Sequence, residues 1–362
     1  MKCFLPVLFC FVFAACANAV TVFERNATYA VVSNEPEFID NLLSDSVKVV
    51  CIFAPEHGFR GNHEAGAHIN NEMDAKTGLP IYSLHGKTKK PTKEQLNGIE
   101  CIIFNLQDVG VRFYTYISTL HYVMEAAAEN NVKVIVIDKP NPNCHYVDGP
   151  VLKPEYRSFV GMHTVPVVYG MTIGEYALML NGEYWLKDSL QCQLQIVQLQ
   201  NYKRDSICDL PNPPSPNLSN KQSIALYPSL CFFEGTNVSV GRGTEFPFQC
   251  FGHPDFEGVY DFCFVPQAIK GKSEHSVLYG EKCYGPDLRG YEMKGLYLQW
   301  LLDAYRHSKN KTKFFNSFFE KLAGSNILRK QIEAGLSEKE IRQSWQRDLE
   351  RFKKIRKKYL LY

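Results

Sequence analysis

The apolar positions of this chain gather into short runs, and each run opens into a cluster of polar residues. The clearest is VKVVCIFAPEHGFRG (47–61), where mostly apolar, β-branched residues lead into a loop holding Glu56, His57 and Arg60. A short continuous apolar run bounded by turn formers predicts a strand buried on both faces, as in a parallel sheet. IECIIFNL (99–106) repeats the pattern and ends in QDVGVRFYTY, with Gln107, Asp108, Arg112 and Tyr114. VKVIVI (132–137) repeats it again and ends in DKPNPNCHYVDGP, with Asp138, Lys139, Asn141 and Asn143. A short strand and a helix carrying Phe38, Leu42 and Leu43 precede these runs, and a short helix is expected from Thr92. Residues 117–131 place Leu120, Val123, Met124 and Ala127 on one helical face. TVPVVYG (164–170) predicts a fourth strand, the following segment a helix opened by Thr172, and QCQLQIVQL (191–199) a half-exposed strand. Strand, polar loop and helix in alternation predict an α/β fold with a parallel sheet.

Parallel strands put their carboxyl ends on one edge, and ligands of open α/β sheets bind there. Turns need turn formers; they do not need Glu, Asp and Arg at successive strand ends. That edge is therefore the candidate active site. A Pro-rich stretch, DLPNPPSPNLSN (209–220), then carries the chain irregularly to a Gly-rich segment with Glu234, Asn237, Arg242 and Thr244. From about residue 246 the texture changes to short strands with turns, followed by three amphipathic helices. We expect one α/β domain over 20–245 and a smaller α+β domain over 246–362 that closes the cleft.

Composition narrows the function. A net charge of +2 with 22% charged residues provides no basic excess for nucleic acid, and the Lys/Arg run near the C-terminus reads as the solvated face of the last helix. No GxGxxG follows a strand and SVGRGT lacks the Lys-Ser/Thr of a phosphate loop, so neither a dinucleotide nor any other cofactor is expected. His63, Glu64 and His68 lack the helical spacing of a metal site, and the absence of Gly-x-Ser-x-Gly disfavours a serine hydrolase. Residues 1–19, with Lys2, an apolar run and Ala17-Asn18-Ala19, read as a signal peptide; Cys16 offers a weaker lipoprotein site. An exported, periplasmic or secreted protein with no stable membrane span is expected. Export would permit disulfides among Cys192, Cys208, Cys231, Cys250, Cys263 and Cys283. Cys51 and Cys101 read as small core residues, and sequons begin at Asn26, Asn217, Asn237 and Asn310.

Longer motifs carry a resemblance. PEHGFRG (55–61), DAKTGLPIYSLHGK (74–87), QDVGVRFYTYIST (107–119), DKPNPN (138–143), GMTIGE (170–175), PSPN (214–217) and EGTNVSVGRGTEFPF (234–248) are similar, in order, to the NamZ-like exo-β-N-acetylmuramidases. The resemblance implies a Rossmann-like α/β domain, a smaller C-terminal domain and an active cleft between them. It also implies release of terminal N-acetylmuramic acid from the non-reducing end of peptidoglycan fragments, with Glu56 as the catalytic acid. Tyr169 stands where many members carry His.

Glycosidic cleavage needs an acid for the leaving oxygen and usually a second carboxylate. Glu56 with neighbouring His57 is the expected acid, Asp108 the preferred partner and Glu234 the next; the substrate's N-acetyl group is a third possibility. Muramic acid carries a lactyl carboxylate, for which Arg60, Arg112 and Arg242 are candidate ligands. Tyr114, Tyr116, Asn141, Ser215 and Asn217 are candidate sugar contacts. A non-catalytic exported cell-wall-sugar binding protein is the alternative, because a cleft between two lobes also suits solute binding.

Overall fold

The apolar runs become the strands of a seven-stranded sheet in the computed structural model, which describes residues 23–24, 26–56, 59, 72–205 and 209–362. The strands are β1 (Thr28–Ser33), β2 (Lys48–Ala54), β3 (Glu72–Met73), β4 (Pro80–Ser83), β5 (Cys101–Asn105), β6 (Lys133–Ile137) and β7 (Leu194–Val197). Their order is β3-β4-β2-β1-β5-β6-β7, and all pairs are parallel except β3–β4. The chain winds outward from β1 through β2 and β4, then returns to β5 and continues the other way. This reversal makes the carboxyl ends of β1, β2 and β5 the switch point at which such sheets bind ligands.

Alternation along each strand explains why both faces are covered. Tyr29, Val31, Ile52, Ile103 and Ile135 point to one face and pack against α1 (Pro36–Ser44) through Ile39 and Leu42. Val32, Phe53, Phe104 and Val136 point to the other and meet α2 (Tyr116–Glu129) and α3 (Ile173–Gly182). Thr172 caps α3 in a capping box with Glu175, as its position predicts.

Three local expectations are corrected. Residues 164–170 are extended and buried but form only single bridges, Val168 with Val111 and with Asp148. Pro166 has no N–H for a ladder, and the apolar side chains fill space beyond the sheet. The segment from Thr92 forms turns rather than a helix. Conversely, α4 (Lys221–Leu230) lies where only irregular chain was expected; Asn220 caps it, and the internal Pro228 hides it from a sequence reading.

The second half carries a two-stranded sheet, β8 (Cys263–Phe264) with β9 (Cys283–Tyr284), and helices α5 (Gln299–His307), α6 (Phe319–Ala323), α7 (Ile327–Glu333) and α8 (Glu338–Arg356). In α8, Ile341, Trp345, Leu349 and Phe352 form one buried stripe, while Lys353 and Lys354 are exposed as expected. This stripe joins the same apolar cluster that covers the sheet. No helix among the described residues is long and apolar enough to cross a membrane. The described cysteines are all free, with Cys51 and Cys101 buried in the core as expected; Cys208 lies outside the described residues.

Arg112 joins the two halves. It is wholly enclosed, and its guanidinium donates to Pro150 O at 2.7 Å, Val165 O at 2.8 Å and Leu322 O at 2.7 Å. The expectation that it binds substrate is thus corrected: its terminal nitrogens are taken by backbone carbonyls, it does not line the cavity described below, and burial lowers its pKa to about 9. Gly324, at φ +76°, lets the chain after α6 approach, since a Cβ there would stand 2.9 Å from Arg112 Nη2. Arg112→Met should strand the three carbonyls, at about 1–3 kcal/mol each. We expect urea unfolding at pH 7 to show a loss of about 3 kcal/mol or more; a loss below about 1 kcal/mol would contradict this joining role.

Candidate functional site

A cavity of about 350 Å³ opens at the switch point, near the lower end of the usual range for small-ligand sites. Glu56 enters it two residues beyond β2, and Phe113, Tyr114 and Thr115 enter from the loop after β5. Ser215 and Leu218 come from the Pro-rich stretch. The far wall is Tyr227, Cys231, Glu234, Arg242, Phe248, Phe318 and Leu322.

Glu56 is held from two sides. Thr115 Oγ1 donates to Glu56 Oε2 at 2.7 Å, and His85 Nδ1 stands 4.0 Å from the same oxygen. Thr115 occupies the N-cap position of α2, where its hydroxyl would ordinarily accept a backbone N–H; here it makes no cap bond. The helix therefore presents its positive end and a hydroxyl donor to the carboxylate. His85 Nδ1 is buried and has no hydrogen-bond partner among the described residues. Spacing had not singled out Thr115 or His85: the first lies inside the QDVGVRFYTY motif, and the second follows β4, a strand too short for its period to register. His57 and Arg60 lie outside the described residues, as do His63, Glu64 and His68.

The carboxylates predicted as partners separate. Glu234 lines the cavity and pairs with Arg242, Oε1 to Nε at 2.6 Å. Its other oxygen accepts from Cys231 Sγ at 3.4 Å, and burial drives that thiol well above its ordinary pKa. Asp108 is 3% exposed and does not line the cavity, which corrects its preference over Glu234. Its Oδ2 accepts a short bond from Tyr169 and one from Gly110 N at 2.7 Å, while Oδ1 has no partner among the described residues. Burial raises its pKa to about 6 despite the lowering effect of those bonds.

The predicted sugar contacts divide the same way. Tyr114 and Ser215 line the cavity; Tyr114 also fixes the Pro-rich stretch by donating to Pro214 O at 2.6 Å. Tyr116 is enclosed beneath Tyr114, with its hydroxyl 3.5 Å from Glu56 O. Asn141 and Asn217 are each 2% exposed and serve backbone, correcting their assignment. Asn141 donates to Met171 O and packs on Gly110, whose φ of +75° and lack of a Cβ admit it; Asn217 donates to Lys272 O. The sequon at Asn217 is thereby buried, whereas Asn26 and Asn310 are exposed.

Two family models cover almost the whole chain: the N-terminal model of exo-beta-N-acetylmuramidase NamZ matches residues 22–222, and the C-terminal model matches 225–362. The chain belongs to the NamZ family. It is 38% identical over 336 residues to the Bacillus subtilis peptidoglycan beta-N-acetylmuramidase NamZ, covering 87% of this chain and 80% of that protein. Two crystal structures of DUF1343 family proteins from Bacteroides fragilis are also similar. One has a TM-score of 0.87 at 43% identity, with 94% and 95% of the two chains covered. The other has a TM-score of 0.80 at 28% identity, with 97% and 98% covered. The NamZ models divide the chain at 222–225, ahead of the texture change near 246, and the cavity draws on both halves.

The raised Asp108 pKa gives a test of its enclosure. The unfolded chain releases this proton near the ordinary value of 3.8 and the folded chain near 6, so folding takes up a proton between them. Its contribution to stability therefore falls as pH rises from about 4 to about 6. Asp108→Asn removes that slope. Its melting temperature should gain on the parent protein between pH 4 and pH 7 in thermal unfolding, and a constant or shrinking difference would contradict the assignment.

Proposed function

We propose that this chain is an exo-acting glycoside hydrolase that releases terminal N-acetylmuramic acid from the non-reducing end of peptidoglycan fragments. The observation that carries the reading is the cavity of about 350 Å³ with Glu56 in its wall, in a chain covered by both NamZ models. That volume suits one sugar ring with its substituents, as removal of a single end residue requires.

Glu56 acts as the general acid. It gives its proton to the glycosidic oxygen as the bond to the sugar's anomeric carbon breaks, and water completes the hydrolysis at that carbon. Thr115 fixes the carboxyl by donating to Oε2, and His85 closes its other side. Tyr114, Ser215 and the aromatic wall supply the sugar's contacts. Asp108, enclosed behind the cavity with Tyr169, acts on the site only through the loop that carries Thr115.

We propose further that the chain is exported, on the strength of Lys2, the apolar run and Ala17-Asn18-Ala19. N-terminal sequencing of the protein recovered outside the cytoplasm should begin at Val20; retention of residues 1–19 would refute export by this signal.

The acid assignment predicts a dependence on the leaving group. Glu56→Gln should lower kcat on a muramyl disaccharide by about 10²–10⁴-fold. The loss should be much smaller on a nitrophenyl muramide, whose leaving group departs without a proton. Equal losses on both would remove Glu56 from the acid role, and near-parental turnover on the disaccharide would remove it from catalysis.

A further inference from the structure

The cavity wall contains one cation among the described residues, Arg242, and its setting is unlike that of a surface ion pair. One edge of the guanidinium is taken, because Nε donates to Glu234 Oε1 at 2.6 Å. One face is taken as well, since the group lies over the Phe248 ring with Cζ 5.0 Å from its centroid. The two terminal nitrogens have no acceptor among the described residues, although the side chain is only 25% exposed. Against the opposing pull of burial, Glu234 holds the guanidinium above its ordinary pKa, so it is charged throughout the working range.

The backbone on either side is equally constrained. Gly241 and Gly243 have φ of +75° and +80°. A Cβ at Gly241 would stand 2.7 Å from Cys250 Sγ, and one at Gly243 would stand 2.4 Å from Gln267 O. Thr244 closes the turn by donating to Gly241 O through its hydroxyl at 2.6 Å. Arg242 is therefore held in place by Glu234, Phe248 and its own backbone, so little ordering remains to be done when a ligand arrives.

Resting on the muramidase reading, we propose that Arg242 is the specificity-determining residue of the cavity. Its terminal nitrogens take the lactyl carboxylate that distinguishes muramic acid from glucosamine, in the paired geometry that guanidinium and carboxylate share. Glu234 is the positioning residue that orients it. The remaining walls are mainly aromatic and aliphatic, and Glu56 is the other charge among the described residues that line the cavity. Without Arg242 the described walls would meet an anionic sugar with two carboxylates, Glu56 and Glu234, and disfavour it. With it, a neutral N-acetylglucosamine end leaves charged donors unmatched, and the site discriminates in favour of the acid.

The test compares two chromogenic substrates, nitrophenyl N-acetylmuramide and the same compound with its lactyl carboxylate converted to the amide. The parental enzyme should favour the acid by about a hundredfold in kcat/KM, the size expected for hydrogen bonds to a charged group. Arg242→Gln should lose about that factor on the acid, mainly through KM, and lose markedly less on the amide. Arg242→Lys, which keeps charge but not the fork, should fall between. Glu234→Gln should narrow the preference for the acid, chiefly by raising KM on that substrate. Equal cleavage of acid and amide by the parental enzyme would overturn this proposal and leave the muramidase reading standing. Equal losses on both substrates in a folded Arg242→Lys protein would also overturn it. Cleavage of neither by the parental enzyme would overturn the muramidase reading, and this proposal with it.

Discussion

A buried guanidinium without a carboxylate partner is a demanding thing to place in a protein, and the architecture of this chain is arranged around one. Arg112 is solvated by the carbonyls of Pro150, Val165 and Leu322 in place of water. Backbone carbonyls satisfy its terminal nitrogens without adding a second charge to desolvate, while Nε is buried with no partner among the described residues. The geometry then propagates along the chain. Phe113 and Tyr114 follow Arg112 into the cavity wall, Thr115 reaches Glu56, and Leu322 brings α6 against them. One cation thus sets the distance between the sheet's active edge and the second half of the molecule.

Around this anchor, groups that ordinary stability would place elsewhere are held for the site. Thr115 gives up a helix cap that is typically worth about 1 kcal/mol. Asp108 is buried with one oxygen unpartnered, in contact with Tyr169 and away from solvent. Neither arrangement would be selected for folding alone. Thr115 holds Glu56 and Asp108 lies in the same loop after β5, consistent with the rule that local compromise concentrates where chemistry is done.

The sheet was legible because its signal is local. Runs such as 47–53 and 132–137 announce buried strands by their own composition, and Thr172 announces the helix it caps. The active edge followed from topology, since parallel strands ending in polar residues must face the same way. What escaped was the partnering of polar residues. Arg112 and Asn141 have the side chains that a sugar site would use, yet their partners are carbonyls that spacing cannot reveal; one of them, Leu322 O, lies 210 residues away. His85 was hidden for the opposite reason, because the strand that delivers it has only four residues. Glu234 ranked below Asp108 because adjacency of strand ends was a better guide to the edge than to which carboxylate faces the cavity.

The wall built from Phe318 and Leu322 has a consequence in time. These residues leave the ribosome long after Glu56, and the far wall of the cavity lacks Phe318 and Leu322 until α6 docks on Arg112. Since chains emerge at about 5–20 residues per second, the segment bearing the acid is exposed for many seconds with no complete substrate pocket around it. A nascent chain consequently carries its acid beside an incomplete pocket, however well its sheet has folded. The pocket around the acid is thereby completed only when the segment bearing Phe318 and Leu322 is in place.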